Sequence, residues 1–368
     1  MKRLNDNHDF LIEEYKMLSV FGKNVSGTHL IFAFSLVMVA SFFGNKFRKT
    51  FIDYEHVDDY EMVKKYLLND SAMYGNNRPK IWIHSKYEVN ARKWKNFMSR
   101  NSTDLNQPYL YLTIQSIINH CGEDFHICLV DDESFEKLIP TWTMDLSNVP
   151  EPMRKRYRDK GMLELLYLYG GMIVPNSFLC TKPLMDLYTK GISKKKPFMV
   201  EKLIRLPNAP QSKPFLPDMY FMGAEKEDPL IQRMNQQIRI EEGSGHFQNE
   251  NEFCRKMSRW CLKQVEDEAL ELLGGQLIGI KTRIGKPILL EDLMSDDYLD
   301  FDESEFYGIY IPAGELLRRP KFQYFAYLPV EDVLKTDTIM TKYFKVSVVT
   351  GTDSFYKKRT SLLSTVAV

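Results

Sequence analysis

Short apolar runs alternate along this chain with stretches whose apolar residues recur at helical spacing. Lys80-Ile81-Trp82-Ile83-His84 reads as a buried strand. Leu110, Leu112, Ile114, Ile117 and Ile118 then form one helical face, opened near Pro108 and closed at Cys121-Gly122. A second strand is predicted over 125–130, leading into Asp131-Asp132 and a short helix over 134–138. The strongest helix falls at 153–169, basic in its first half and apolar at Met162, Leu163, Leu165, Leu166 and Tyr169. Gly170-Gly171 end it and run into Met172-Ile173-Val174, which reads as a tight turn and a buried strand tipped by Pro175-Asn176-Ser177. Further strands are expected at 219–224 and 307–312, with Phe253, Met257, Trp260, Cys261 and Val265 on a core-facing helix between them. Helix following strand in this way predicts a parallel α/β layout, whose chemistry sits at the carboxyl ends of the strands.

Ahead of this core the pattern changes. Residues 1–27 are polar, and 28–44 carry no charge if His29 is neutral. As a helix that run would be about 25 Å long at about 1.5 Å per residue, just short of a hydrocarbon layer of about 30 Å. A membrane anchor is the expectation, with a buried helix or strand pair as the alternative. Lys46, Arg48 and Lys49 follow the run closely, which places the C-terminal bulk on the cytoplasmic side. The triplets at Asn24, Asn69 and Asn101 would be glycosylated only on a luminal side. Residues 45–78 read as a connecting segment, 79–335 as the main domain and 336–368 as a C-terminal extension.

The chain of 368 residues has 49 basic and 49 acidic side chains, so there is no global electrostatic attraction for nucleic acid. Its five cysteines lack metal-ligand spacing and read as reduced, buried thiols, in keeping with a cytosolic or virion-interior setting.

Several polar residues stand at chemically useful places. Asp131 and Asp132 end a strand, where a carboxylate either caps the next helix or holds a ribose or a metal. Asp159 lies one turn after Lys155 and near Arg156 on the basic half of the long helix, so pairing along the helix is its plain role. Lys194-Lys195-Lys196 reads as a solvated loop, and Lys281 and Arg283 flank a glycine-containing loop over 274–287 without Walker spacing.

Arg158-Asp159, the run from Leu165 to Met172, Phe178 and Thr181-Lys182-Pro183-Leu184 together resemble the core of the DXD-type sugar transferases, in particular the capsular-polysaccharide-synthesis branch. The resemblance spans 79 to about 230 and implies a glycosyltransferase-A-like fold, a mixed α/β sheet flanked by helices. It implies a nucleotide sugar as donor and a glycan acceptor, with Asp131, Asp132, Asp159, Gly170, Gly171, Asn176 and Ser177 contributing to the donor site. The family's leading metal-site aspartate falls on Pro175 and its closing residue on Ser177, while its arginine falls on Met162. Carboxylates normally hold the divalent cation that offsets a departing diphosphate, and none stands here. Mn²⁺ or Mg²⁺ is therefore not expected, and no catalytic residue is assigned. Two functions remain: transfer by an altered or metal-independent site, or an inactive membrane-associated scaffold that keeps the fold. The Tyr, Phe and Met-rich composition resembles that of large DNA virus proteins, which adds membrane or virion proteins as partners.

Overall fold

Ile81 and Ile83 pack on one side of the first strand and Trp82 on the other, and this two-residue alternation runs through the sheet of a computed structural model of the chain. The structure describes residues 78–85, 107–150, 153–203, 215–243, 250–302 and 304–348. The apolar run at 28–44, the connecting segment up to residue 77 and the three glycosylation triplets lie outside these residues. Among the described residues no helix is long and apolar enough to cross a membrane.

The main elements in chain order are β1 (Lys80–His84), α1 (Tyr109–Cys121), β2 (His126–Val130), α2 (Ser134–Leu138), α3 (Met153–Tyr169), β3 (Gly171–Ile173), β4 (Phe178–Cys180), α4 (Met185–Ile192), β5 (Phe198–Leu203), β6 (Phe215–Ala224), α5 (Pro229–Gly243), α6 (Glu250–Glu266), β7 (Glu271–Leu273) and β8 (Gly308–Tyr310). Six strands form one sheet in the order β2-β1-β3-β6-β5-β7. β1 is parallel to β2 and β3, and β5 to β7, whereas β6 runs antiparallel to both its neighbours. The strands form the mixed sheet that the resemblance implies, and the parallel pairing expected from the helix and strand order holds for part of it. The reason lies in β5, a strand the sequence reading passed over. With β5 present, the chain reaches β6 from the opposite edge and lays it down reversed.

Ile127, Leu129, Met172, Phe198, Val200 and Phe221 point to the face covered by α1 and α4, while Cys128, Val130, Ile173, Met199 and Met222 point to the face covered by α3, α5 and α6. A third core gathers around β4 and β8, which form a two-stranded ladder of their own. Residues 339–348, read from the sequence as part of a C-terminal extension, are helical and bury Ile339, Met340 and Phe344 in that third core. Ser347 also donates a hydrogen bond to the Cys180 carbonyl.

Candidate functional site

β1, β2 and β3 all end at one edge of the sheet, and β6 begins there because it is reversed. The register places Ile173 opposite Met222, so β3 leaves the sheet at the edge where β6 enters it. β5, antiparallel to β6, brings Lys202 to the same edge opposite Leu216.

What aims β3 at this edge is its glycine junction. Gly170 and Gly171 have φ of 67° and 101°, a left-handed backbone that other residues avoid. A Cβ on Gly171 would lie 2.1 Å from the Lys80 carbonyl oxygen, so only glycine lets β3 close against β1. The Trp82 indole donates to the Gly170 carbonyl at 3.0 Å and pins the turn. Both glycines serve this packing.

At the tip, Val174 continues the ladder by donating to the Trp82 carbonyl, and Phe178 donates to the Pro175 carbonyl across a turn. The Asn176 carbonyl accepts from Thr113 at 2.5 Å, which ties the tip to α1. The Ser177 side chain is 3% exposed, and its carbonyl accepts from Ile311. Pro175 offers no ligand atom in its side chain, and Asn176 and Ser177 offer neutral oxygens only. This donor set does not fit a hard divalent cation. Among the described residues no cluster of three or more His, Cys, Asp or Glu could hold a metal ion.

The two aspartates that end β2 take different duties. Asp131 Oδ1 accepts from the Ser134 backbone N–H at 2.9 Å and from its hydroxyl at 2.6 Å, capping α2. Asp132 is clasped by Arg158, whose Nε and Nη2 each donate at 2.7 Å, while His84 Nε2 lies 3.0 Å from Oδ1. Burial opposes ionisation of Asp132, but the hydrogen bonds and charges of Arg158 and His84 prevail and hold its carboxyl well below the usual range. Both oxygens of the carboxylate are engaged within the protein.

Asp159, the next residue after Arg158, points elsewhere. With Lys155, one helical turn earlier, it lines a cavity of about 70 Å³ bounded by α3, the edge of β5 and β6, and α6. Lys202, Asp218, Tyr220, Cys254 and Ser258 add to its polar wall, and Pro217, Met219 and Met257 to its apolar one. Lys202 Nζ lies 3.2 Å from Asp218 Oδ2 and 4.8 Å from the centre of the Tyr220 ring. Burial works against the Lys202 charge, yet Asp218 first and Tyr310 next raise its ammonium above the ordinary lysine value. The Tyr220 hydroxyl donates to the Glu201 carbonyl at 2.7 Å. Burial first, then Tyr310 and Asp218, pushes that phenol well up, so it stays neutral. Tyr310, paired with Phe178 immediately after the tip, packs its ring 4.8 Å from that of Tyr220.

The other sequence candidates lie apart from this cavity. Lys194 pairs with Glu271, Lys281 with Glu201 and Arg283 with Asp300. None of the three lines the cavity. Lys202, Asp218 and Tyr220 were missed. Their only sequence signal is the presence of charged residues, Glu201 and Lys202 in one strand at 198–203 and Asp218 in the other at 215–224, within otherwise largely apolar runs.

No family model and no curated protein matches the sequence. Among solved structures, the chain is similar to the apo form of the glycosyltransferase GlyE of Streptococcus pneumoniae TIGR4, at 9% identity and a TM-score of 0.30, over 55% of this chain and 46% of that one. The alignment thus spans just under half the length of GlyE. The PaToxG glycosyltransferase is similar at 10% identity and a TM-score of 0.28, over 57% of this chain and 80% of that chain.

Proposed function

We propose that this chain is a glycosyltransferase-like protein of the A-type fold that binds a nucleotide sugar at the edge where β1, β2 and β3 end, by a site that does not rely on a carboxylate-held divalent cation. One observation carries the reading: Asp159, the residue onto which the family's first aspartate falls, lines a cavity where β5 ends and β6 begins, while the tip of β3 carries no carboxylate. Within this reading Asp159 serves the donor's sugar. Calorimetry of the full chain with a panel of nucleotide sugars, in EDTA and in Mn²⁺, tests it. Binding that is unchanged by EDTA is expected. Binding that appears only with Mn²⁺ would overturn the metal-independent site.

A second reading, a catalytically inactive scaffold retaining the fold, draws on the Asp132 carboxylate engaged by Arg158 and His84 and on the burial of Ser177. A folded chain that binds no nucleotide sugar under either condition would favour it.

A further inference from the structure

We infer that the cavity between α3, α6 and the β5–β6 edge is a subsite for an uncharged, hydroxyl-bearing sugar edge, and that the Lys202–Asp218 pair makes it reject a sugar carrying a carboxylate. This deepens the nucleotide-sugar reading and rests on it only for what delivers the sugar.

The pair is fixed on several sides. Asp218 Oδ1 accepts from the Tyr220 backbone N–H at 3.1 Å while Oδ2 faces Lys202 at 3.2 Å. The Tyr220 ring lies against the ammonium, and its hydroxyl is held by the Glu201 carbonyl. The Lys202 and Asp218 side chains keep 29% and 19% of their surface exposed, so the pair is reachable from the cavity. Lys155 and Asp159 add one charge of each sign, which leaves the lining balanced.

A hydroxyl suits such a lining because it donates to a carboxylate and accepts from an ammonium at once, displacing neither. A carboxylate only accepts. To reach Lys202 it must stand beside Asp218 or push it aside, and either course sets two like charges together or strands one in a poorly solvated place. Met219 and Met257 line the same cavity and would face the C–H surface of the sugar.

The test compares two ligands that differ only at C6, uridine diphosphate glucose and uridine diphosphate glucuronate, by calorimetry in EDTA on the full chain. Methyl glucoside and methyl glucuronide, followed by saturation-transfer NMR, repeat the comparison without the nucleotide. The neutral member of each pair should bind at least about tenfold tighter, roughly 1.4 kcal/mol. Asp218→Asn keeps the side-chain shape but unbalances Lys202, and should narrow or reverse that preference in a variant that stays folded at a lower melting temperature. Lys202→Met should weaken both neutral ligands. Equal binding of the neutral and acidic members, an unchanged preference in Asp218→Asn, or no binding of any of the four ligands would overturn the inference. Selective binding of the methyl glucoside without either nucleotide sugar would uphold the subsite and defeat the proposed function. Nucleotide sugars bound without selection would do the reverse.

Discussion

Arg158 and Asp132 form a two-pronged clasp, two N–H···O bonds of 2.7 Å, that joins the middle of α3 to the end of β2. Removing the arginine leaves a carboxylate that is 28% exposed with His84 beside it. Breaking a fully buried pair costs about 3–5 kcal/mol, and partial exposure lowers the expectation for Arg158→Met to about 2 kcal/mol. Chemical denaturation at neutral pH measures this.

The same clasp sets a pH dependence. Asp132 ionises more readily folded than unfolded, so its contribution is fully present above the ordinary carboxylate range. It is lost as pH falls from that range toward the lower folded value. Wild type should therefore lose stability over this acid window more steeply than Asp132→Asn, measured as melting temperature against pH.

Gly171→Ala should be the most damaging small change at the site. The added Cβ meets the Lys80 carbonyl oxygen at 2.1 Å and the backbone has φ of 101°. A cost above about 3 kcal/mol is expected from strain and overpacking together. Soluble yield and thermal melting are the readouts, and a variant as stable as wild type would contradict the described β1–β3 contact.

Restoring acids at the tip should restore metal dependence. In Pro175→Asp with Ser177→Asp, binding of a nucleoside diphosphate should strengthen roughly tenfold on adding Mn²⁺. Ser177 is buried, so the double variant should also melt earlier than wild type. An unaltered Mn²⁺ response in a folded double variant would show that these positions do not face the diphosphate.

Cys254 should be the first thiol alkylated in the native chain. Cys121, Cys128, Cys180 and Cys261 are buried, whereas Cys254 is half-buried on the cavity wall. Burial raises its pKa, so the rate should climb as the solution becomes alkaline. Peptide mapping after a short iodoacetamide pulse identifies the order, and methyl glucoside should slow the labelling of Cys254.

Much of the frame was legible because it rests on local pattern. β1 at 80–84 and α2 at 134–138 fall where apolar runs and turn residues put them, and Ile173 lies inside the sheet between Trp82 and Met222. The capping role of Asp131 was one of two duties its place suggested. The basic half of α3 was harder to read. Arg156 and Arg158 look like solvated residues in sequence, yet they are 3% and 6% exposed. Their partners, Phe253 and Asp132, lie 97 and 26 positions away, beyond any helical window. For the same reason the cavity was not legible. Lys155, Lys202 and Asp218 come from three elements: β5 runs with β3 and ends at this edge near Lys202, and the reversal of β6 starts Asp218 there.

The Gly170-Gly171 junction also sets which positions are open to change. Its tight backbone contact ends at residue 171, four residues before the first tip position, Pro175. Substitutions at the junction are removed by failure to fold, whereas the side chain at 175 is under no comparable backbone constraint. A chain built this way can drift from one chemistry to another, or to none, while its architecture stays put, and the reverse mutations remain within reach because the platform they need has not moved.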